Sequence, residues 1–313
     1  MHSACLLALL LLPAAVPAFA ADAPPRQSRD DAWWTGPIIA NSAATLPQGH
    51  YLIEPYLFDV RSDGADSFGS LTFMLYGVTD KLTVGLVPVF GYNQADGVRN
   101  AGPGVADSSV LVQYRLRQYQ EGSWLPAMSL QLQHTFPTGK HDRLDANRAG
   151  GFGGGAHATQ LQLNTQTYFW TPNGRILRMR LNLGATRSGE AALRDRSVYG
   201  TPQGFVGHAR PGDNWNVNAA WEYSWTRNWV LALDLAYQHS DRTRVDGVVL
   251  DGAQDATPTP LRFESDTSGA WFLAPAVEYN FSPSVGVLVG ARFIRGRNIT
   301  DSVTPVLALN YVH

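Results

Sequence analysis

A histidine within reach of a hydroxyl and a carboxylate is the smallest set of side chains that makes an oxygen nucleophile. Two stretches approach it: His239-Ser240-Asp241, and His157 with Thr159. On an extended strand, neighbours point to opposite faces and residues two apart share one. His239 and Ser240 therefore face apart, and His157 shares its face with a threonine where hydrolysis calls for serine. Gly150 to Gly155, interrupted by Phe152, has the composition of a phosphate cradle. No strand-to-helix turn follows it, so it reads as a flexible loop. Asp241, Asp246, Asp251 and Asp255 lack the spacing of a calcium loop and read as a solvated face, at most bridged loosely by divalent ions to anionic lipid. The eight histidines are scattered without metal-ligand spacing. The expectation is a chain with no metal, no cofactor, no catalytic residue and no enzymatic activity.

The rest of the composition agrees. Of 313 residues only 16% are charged, against roughly a quarter in an average soluble domain, while 11% are aromatic and 30 are glycine. A net charge of −2 offers nothing to a nucleic acid, and no such partner is expected. The apolar run Leu6 to Leu12, then Pro13 and Ala18-Phe19-Ala20, reads as a signal peptide over residues 1–20, cleaved after Ala20. It is too short for the ~20 residues of a spanning helix, and no later apolar stretch is longer. The single cysteine, Cys5, leaves with the leader, which removes disulfides and thiol chemistry from the exported chain.

What must position any site is a series of strands. Apolar and polar residues alternate over about ten positions, again and again, with turn residues between. In Trp229 to Ser240, for example, Trp229, Leu231, Leu233, Leu235 and Tyr237 oppose Ala232, Asp234, Ala236 and Gln238. The pattern predicts twelve strands: His50 to Val60, Phe68 to Tyr76, Leu82 to Asn93, Ser108 to Tyr119, Trp124 to Pro137, His157 to Trp170, Ile176 to Thr186, Asn214 to Trp225, Trp229 to Ser240, Gly269 to Phe281, Val285 to Arg295 and Ser302 to Val312. Tight turns such as Thr226 to Asn228 alternate with links as long as Arg187 to Asp213 and Asp241 to Ser268.

An even strand count with short turns on one side and long loops on the other is the layout of an all-β fold, a single transmembrane antiparallel β-barrel of the outer-membrane type over residues 49–313, with short periplasmic turns and long extracellular loops. A soluble barrel also alternates. Three features favour the membrane version. Aromatics cluster beside the short turns as an interfacial girdle: Tyr76, Tyr119, Trp124, Trp170, Trp225, Trp229, Phe281 and Tyr311. The polar face carries Gln, Asn, Arg and Glu at mid-strand, suited to a wet lumen. The chain ends Leu307, Leu309, Tyr311, His313, close to the signal read by barrel-assembly machinery. That machinery, outer-membrane lipid and lipopolysaccharide are the expected partners, besides a small-molecule permeant of unknown identity.

Parity puts Glu54, Arg115, Arg117, Gln131, Gln133, Gln160, Gln162, Asn164, Arg178, Arg180, Glu222, Asp234, Glu278 and Arg292 on the lumen side as pore-lining residues. Basic and acidic members lie on different strands. Either they set up a transverse field that selects a permeant, or they pair to brace the wall, as Arg178 with Glu222 could. Twelve tilted strands give a backbone radius of about 12 Å, too narrow for bulk flow once side chains point inward. Residues 21–48 carry Trp33 and Trp34 and either dock in the periplasmic mouth as a partial plug or lie at the interface. Parity also predicts that Leu233→Arg is damaging and Ala232→Arg tolerated.

The segment from Trp33-Trp34-Thr35-Gly36-Pro37 through Leu46-Pro47-Gln48-Gly49-His50-Tyr51-Leu52-Ile53-Glu54 resembles the start of the outer-membrane barrel family named after the meta-pathway of phenol degradation. The likeness is specific over about 30 residues and architectural afterwards. It implies passage of small, often aromatic or hydrophobic, molecules, and brings no catalytic or binding residues with it. The expected function is a passive channel, with a barrel-embedded lipid hydrolase and a structural or adhesive barrel as alternatives.

Overall fold

The structure, a computed structural model, describes residues 24–95, 97–99, 102–146, 149–250 and 257–313. The leader with its cleavage site, and Asp251 and Asp255, lie outside them. Twelve strands close into one antiparallel barrel. They are β1 (Tyr51–Ser62), β2 (Ala65–Thr79), β3 (Leu82–Val87, resuming as Val89–Ala95), β4 (Ser108–Arg117), β5 (Ala127–Phe136), β6 (Ala158–Trp170), β7 (Ile176–Ser188), β8 (Asn214–Ser224), β9 (Trp229–Ser240), β10 (Ser268–Asn280), β11 (Val285–Arg297) and β12 (Ser302–Val312). Pro88 divides β3 because it has no N–H to give the ladder. Consecutive strands pair, and β1 meets β12 from Leu52↔Val312 to Ser62↔Ser302, so no edge is left open.

The alternation predicted for these strands is the alternation found. On β9, Leu231, Leu233 and Leu235 are about two-fifths exposed while Asp234 is 0% exposed. A soluble fold would have this inside out. Leucines outward and a carboxylate inward lower the free energy only when hydrocarbon surrounds the barrel and the interior is polar.

The strands depart from expectation mainly at their ends. β4 stops at Arg117, after a bulge that follows Arg115, and β5 starts only at Ala127. β1 and β2 run on to a two-residue turn with Gly64 at φ 76°. Where long loops were expected, four short strands, Ala191–Arg194, Phe205–Arg210, Arg244–Val249 and Thr259–Glu264, form a second sheet. Its core is Leu193, Phe205, Ala209 and Val245 with Ala156. The signal was there in Phe205, Gly207 and Ala209, but glycine and alanine at that spacing do not register as apolar alternation.

Parity fixes one experiment. Leu233→Arg should cost about 2–4 kcal/mol or block assembly. Gln238→Arg, inward on the same strand, should still give a heat-modifiable barrel on a gel. The expectation for Ala232→Arg needs correcting. Ala232 is inward as predicted, yet it packs with Ala276, Leu288, Val306 and Ala308 against Ile38, and an arginine there overpacks a filled space.

Candidate functional site

Residues 33–46 have neither strand alternation nor helical period, so each backbone N–H and C=O must find a partner elsewhere. The chain finds them inside the barrel, on inward side chains. Glu278 accepts the Thr35 N–H at 2.7 Å. The two oxygens of Asp234 accept the successive N–H groups of Ile39 and Ala40 at 3.2 and 2.9 Å. Arg180 donates to the Ala40 carbonyl at 2.7 Å, Asn182 to Asn41 at 3.1 Å, and Gln113 to Ser42 at 2.9 Å. Thr83 accepts the Leu46 N–H at 2.9 Å. Six side chains from five strands around the wall thus hold one extended segment.

Its two tryptophans fix the end nearest the short turns. Arg178 lies over the Trp34 ring at 4.3 Å and Arg227 over Trp33 at 4.4 Å, cation–π contacts of which the buried Arg178 one is the stronger. Arg178 in turn forms a bidentate pair with Glu222, its register partner on β8, and Arg180 Nε is 3.1 Å from the same carboxylate. Two glycines let the segment approach. A Cβ on Gly286 would lie 2.1 Å from Thr35 Oγ1, and one on Gly77 would lie 2.0 Å from the Pro47 carbonyl oxygen. Gly286→Val should therefore dislodge the segment at Thr35 while the β10–β11 ladder survives. The expected result is protease cleavage near Thr35 in a barrel that still shows its heat shift.

The predicted lumen residues divide into groups. Arg178, Arg180 and Glu222 meet, while Asp234, Glu278 and Arg180 hold the segment. Gln162 donates to Asn164 at 2.7 Å, Asn164 to Gln131 and Gln131 to Gln133 at 3.4 Å each, and Gln160 to Asn216 at 3.3 Å. Glu54 accepts from Asn310 at 2.9 Å. Arg117 binds Gln120 and Ser123 near a short turn, and Arg115 stands by Lys81 at the same end. Arg292 is apart from all of them, on the long-loop half of β11.

Of the predicted girdle, Tyr76, Trp124, Trp225, Trp229, Phe281 and Tyr311 are exposed on the outer surface by the short turns. Trp170 and Tyr119 are corrections. Trp170 shares the inward face of β6 with Gln162 and Asn164, and its Nε1 donates to the Gln27 carbonyl at 2.9 Å. Tyr119 packs on Tyr168 under the Arg29 guanidinium, in the mouth. Strand parity, not nearness to a turn, decides where a ring points.

A second girdle went unnoticed. Trp215, Tyr237 and Trp271 touch in sequence at 5.5 and 4.8 Å on the outer face near the long loops. There too His134, opposite Thr159 in register, puts Nδ1 2.8 Å from the threonine hydroxyl and Nε2 3.1 Å from His157 Nδ1. The hydroxyl is a threonine's and the second partner an imidazole, not a carboxylate. His239 lies 3.6 Å from Asp241, while Ser240 accepts from Gln238 on the other face. Among the described residues no group of three metal-ligating side chains exists. The glycine loop is tied down rather than open: Gly151 O accepts from Asn93 at 2.6 Å, and Asp107 accepts the N–H of Gly139 and Gly154 at 2.9 and 2.7 Å. Tyr199 donates to the Gly154 carbonyl, and burial pushes its phenol up to about 12.

Between the segment and β1–β4 remains a cavity of about 230 Å³. Its wall is mostly apolar, with Leu52, Tyr56, Phe73, Leu75 and Leu111 interrupted by Glu54, Thr83, Gln113, Gln131, Arg180 and Asn310. Parity shows little of this, because the inward faces of β1–β4 mix apolar residues with Glu54, Thr83 and Gln113. The lumen is thus uneven: β7, β9 and β10 hold the middle of the segment through charged and amide groups, Thr83 and Gln113 hold its end, and the space left lies against the apolar residues of β1, β2 and β4.

No family model matches the chain, and no curated protein matches its sequence. In structure it is similar to an outer membrane channel from Pseudomonas putida F1, at TM-score 0.63 and 15% identity over 88% of this chain and 100% of that one. Weaker likenesses are to the NanC porin, at TM-score 0.42 and 9% identity over 83% of this chain and 98% of that one, and to the TodX monoaromatic hydrocarbon channel, at 0.39 and 8% over 87% and 92%. The first of these establishes the fold as that of an outer-membrane barrel.

Proposed function

We propose that the protein sits in the outer membrane and passes small apolar molecules, aromatic ones among them, with residues 24–46 as a standing partial plug on the periplasmic side. The observation that carries this is the cavity of about 230 Å³ against a mostly apolar inner wall, larger than the ~150 Å³ apolar space that accepts benzene. A hydrophilic pore would leave its opening on the polar side. Here that side is taken up by the segment. Outward Arg61, His134, His157, Arg187, His239 and Arg295 all stand at the long-loop end, which supports that end facing lipopolysaccharide. Assembly by the barrel-assembly machinery follows from the same reading.

The test is current block in a planar bilayer. A small aromatic alcohol should interrupt the residual ion current, a sugar of similar size should not, and Leu111→Asp should abolish the difference. Equal block by both, or no current from the wild-type chain, would overturn the reading.

A further inference from the structure

Among the inward arginines Arg292 is distinct. Arg178 and Arg180 share the carboxylate of Glu222, Arg117 is held by Gln120 and Ser123, and Arg115 stands beside a short turn. Arg292 lies on the long-loop half of β11 and points into the lumen, with its Nε buried and unpartnered. Its register partner on β12 is Thr304, 1% exposed, whose hydroxyl is also buried without a partner. Among the described residues no carboxylate comes within ion-pair distance of this guanidinium.

What surrounds the pair is largely apolar. One inward step toward the short turns is the row Gly290, Val306 and Phe58, where Ile38 of the segment touches the wall. One inward step the other way are Ile294, its partner Phe272 and, on β12, Ser302. A cation left unpaired among such groups is costly unless something anionic reaches it, and a neighbouring free hydroxyl offers a second donor to the same anion. Rows of phenylalanine, valine and isoleucine above and below suit an apolar body attached to that anion.

We propose that Arg292 and Thr304 bind the carboxylate of a permeant that is otherwise apolar, an aryl or alkyl carboxylate, just above the plug. This rests on the passage reading given above and deepens it, because it names the charged group such a molecule carries. Arg292 supplies the charge and two N–H donors, Thr304 the hydroxyl donor, and Phe58 with Phe272 the flanking apolar surface. The remaining apolar wall then continues downward to the cavity beside the segment.

Block dwell times of benzoate, benzyl alcohol and acetate on the full chain in a planar bilayer test this. Benzoate and benzyl alcohol share a body and differ in charge, while acetate carries the charge without the body. In the wild type, benzoate should dwell about tenfold longer than benzyl alcohol, as a charge-assisted contact implies, and acetate should give no resolvable block. Arg292→Gln should bring the benzoate to benzyl alcohol ratio near one, Arg292→Lys should keep most of it, and Thr304→Val should lower it several-fold. Equal dwell times in the wild type, or a preference that survives Arg292→Gln, overturn the proposal. Acetate blocking as long as benzoate overturns it as well, since the site then takes a bare anion. If neither aromatic probe blocks, the passage reading itself fails and this one with it. Should Arg292→Gln not assemble, the wild-type ratio and the Thr304→Val ratio decide the matter.

Discussion

Removing residues 24–46 should raise single-channel conductance about tenfold, because a bore of about 12 Å backbone radius then holds only its own side chains. The barrel should survive the removal, since the ladder that closes it, β1 on β12, involves none of these residues. Arg180, Asp234 and Glu278 lose their backbone partners but gain water, so the energetic penalty is modest. Trp34→Ala, which removes only the ring over Arg178, should give a smaller rise with frequent returns to the low level. Unchanged conductance in the deletion would mean that the segment does not obstruct, and the partial plug would have to be abandoned.

Glu222→Gln should be the most damaging single change in the lumen. Its carboxylate is 0% exposed and is the only counter-ion within ion-pair distance of Arg178 and Arg180 among the described residues. Removing it leaves two guanidinium groups, each under a tenth exposed, without an opposite charge. Breaking a buried pair in this way typically costs about 3–5 kcal/mol, far more than the pair contributes over an apolar replacement. The measurement is the urea midpoint of the refolded barrel, or the temperature at which its gel shift is lost. Replacing all three together, Arg178→Met with Arg180→Met and Glu222→Leu, should recover most of the loss. An unaltered midpoint in Glu222→Gln would mean that the three charges are hydrated and the wall is not braced by them. Arg178 and Arg180 are committed to this pairing, so of the two roles the sequence left open for them, bracing is the one the geometry holds.

The strands and their facing were legible because a wall between two different solvents imposes a period of two on every strand that crosses it. β9 and β12 were read to the residue. Facing was misjudged only where another cue displaced parity, as at Trp170, an even-numbered residue on a strand whose even-numbered residues all point inward. The site was half legible. Each charged wall residue could be placed, but not what it bound, since its partner is an irregular backbone whose donors and acceptors leave no mark in side-chain identity. The apolar part of the lumen was hidden for the opposite reason. Tyr56, Phe73 and Leu111 look like lipid-facing residues where a strand carries apolar residues on both faces, and only the closed register shows that they point inward. Arg292 could be assigned to the lumen but not singled out, because the buried, unpartnered state of its Nε and of the Thr304 hydroxyl beside it depends on tertiary contacts.

The contact between Thr35 and Glu278 spans 243 residues of sequence, and this bears on how the chain comes to be folded. The segment lies ahead of every strand, yet its anchors run from β3 and β4 to β7, β9 and β10, so it can be fully seated only after most of the wall has been laid down. Until then Asp234 and Glu278 lack the N–H groups that satisfy them, and a strand slipped by one residue would turn those carboxylates into hydrocarbon. Threading the N-terminal segment is therefore a final inspection of strand order, in which a barrel built in the wrong register has nowhere to put its own beginning.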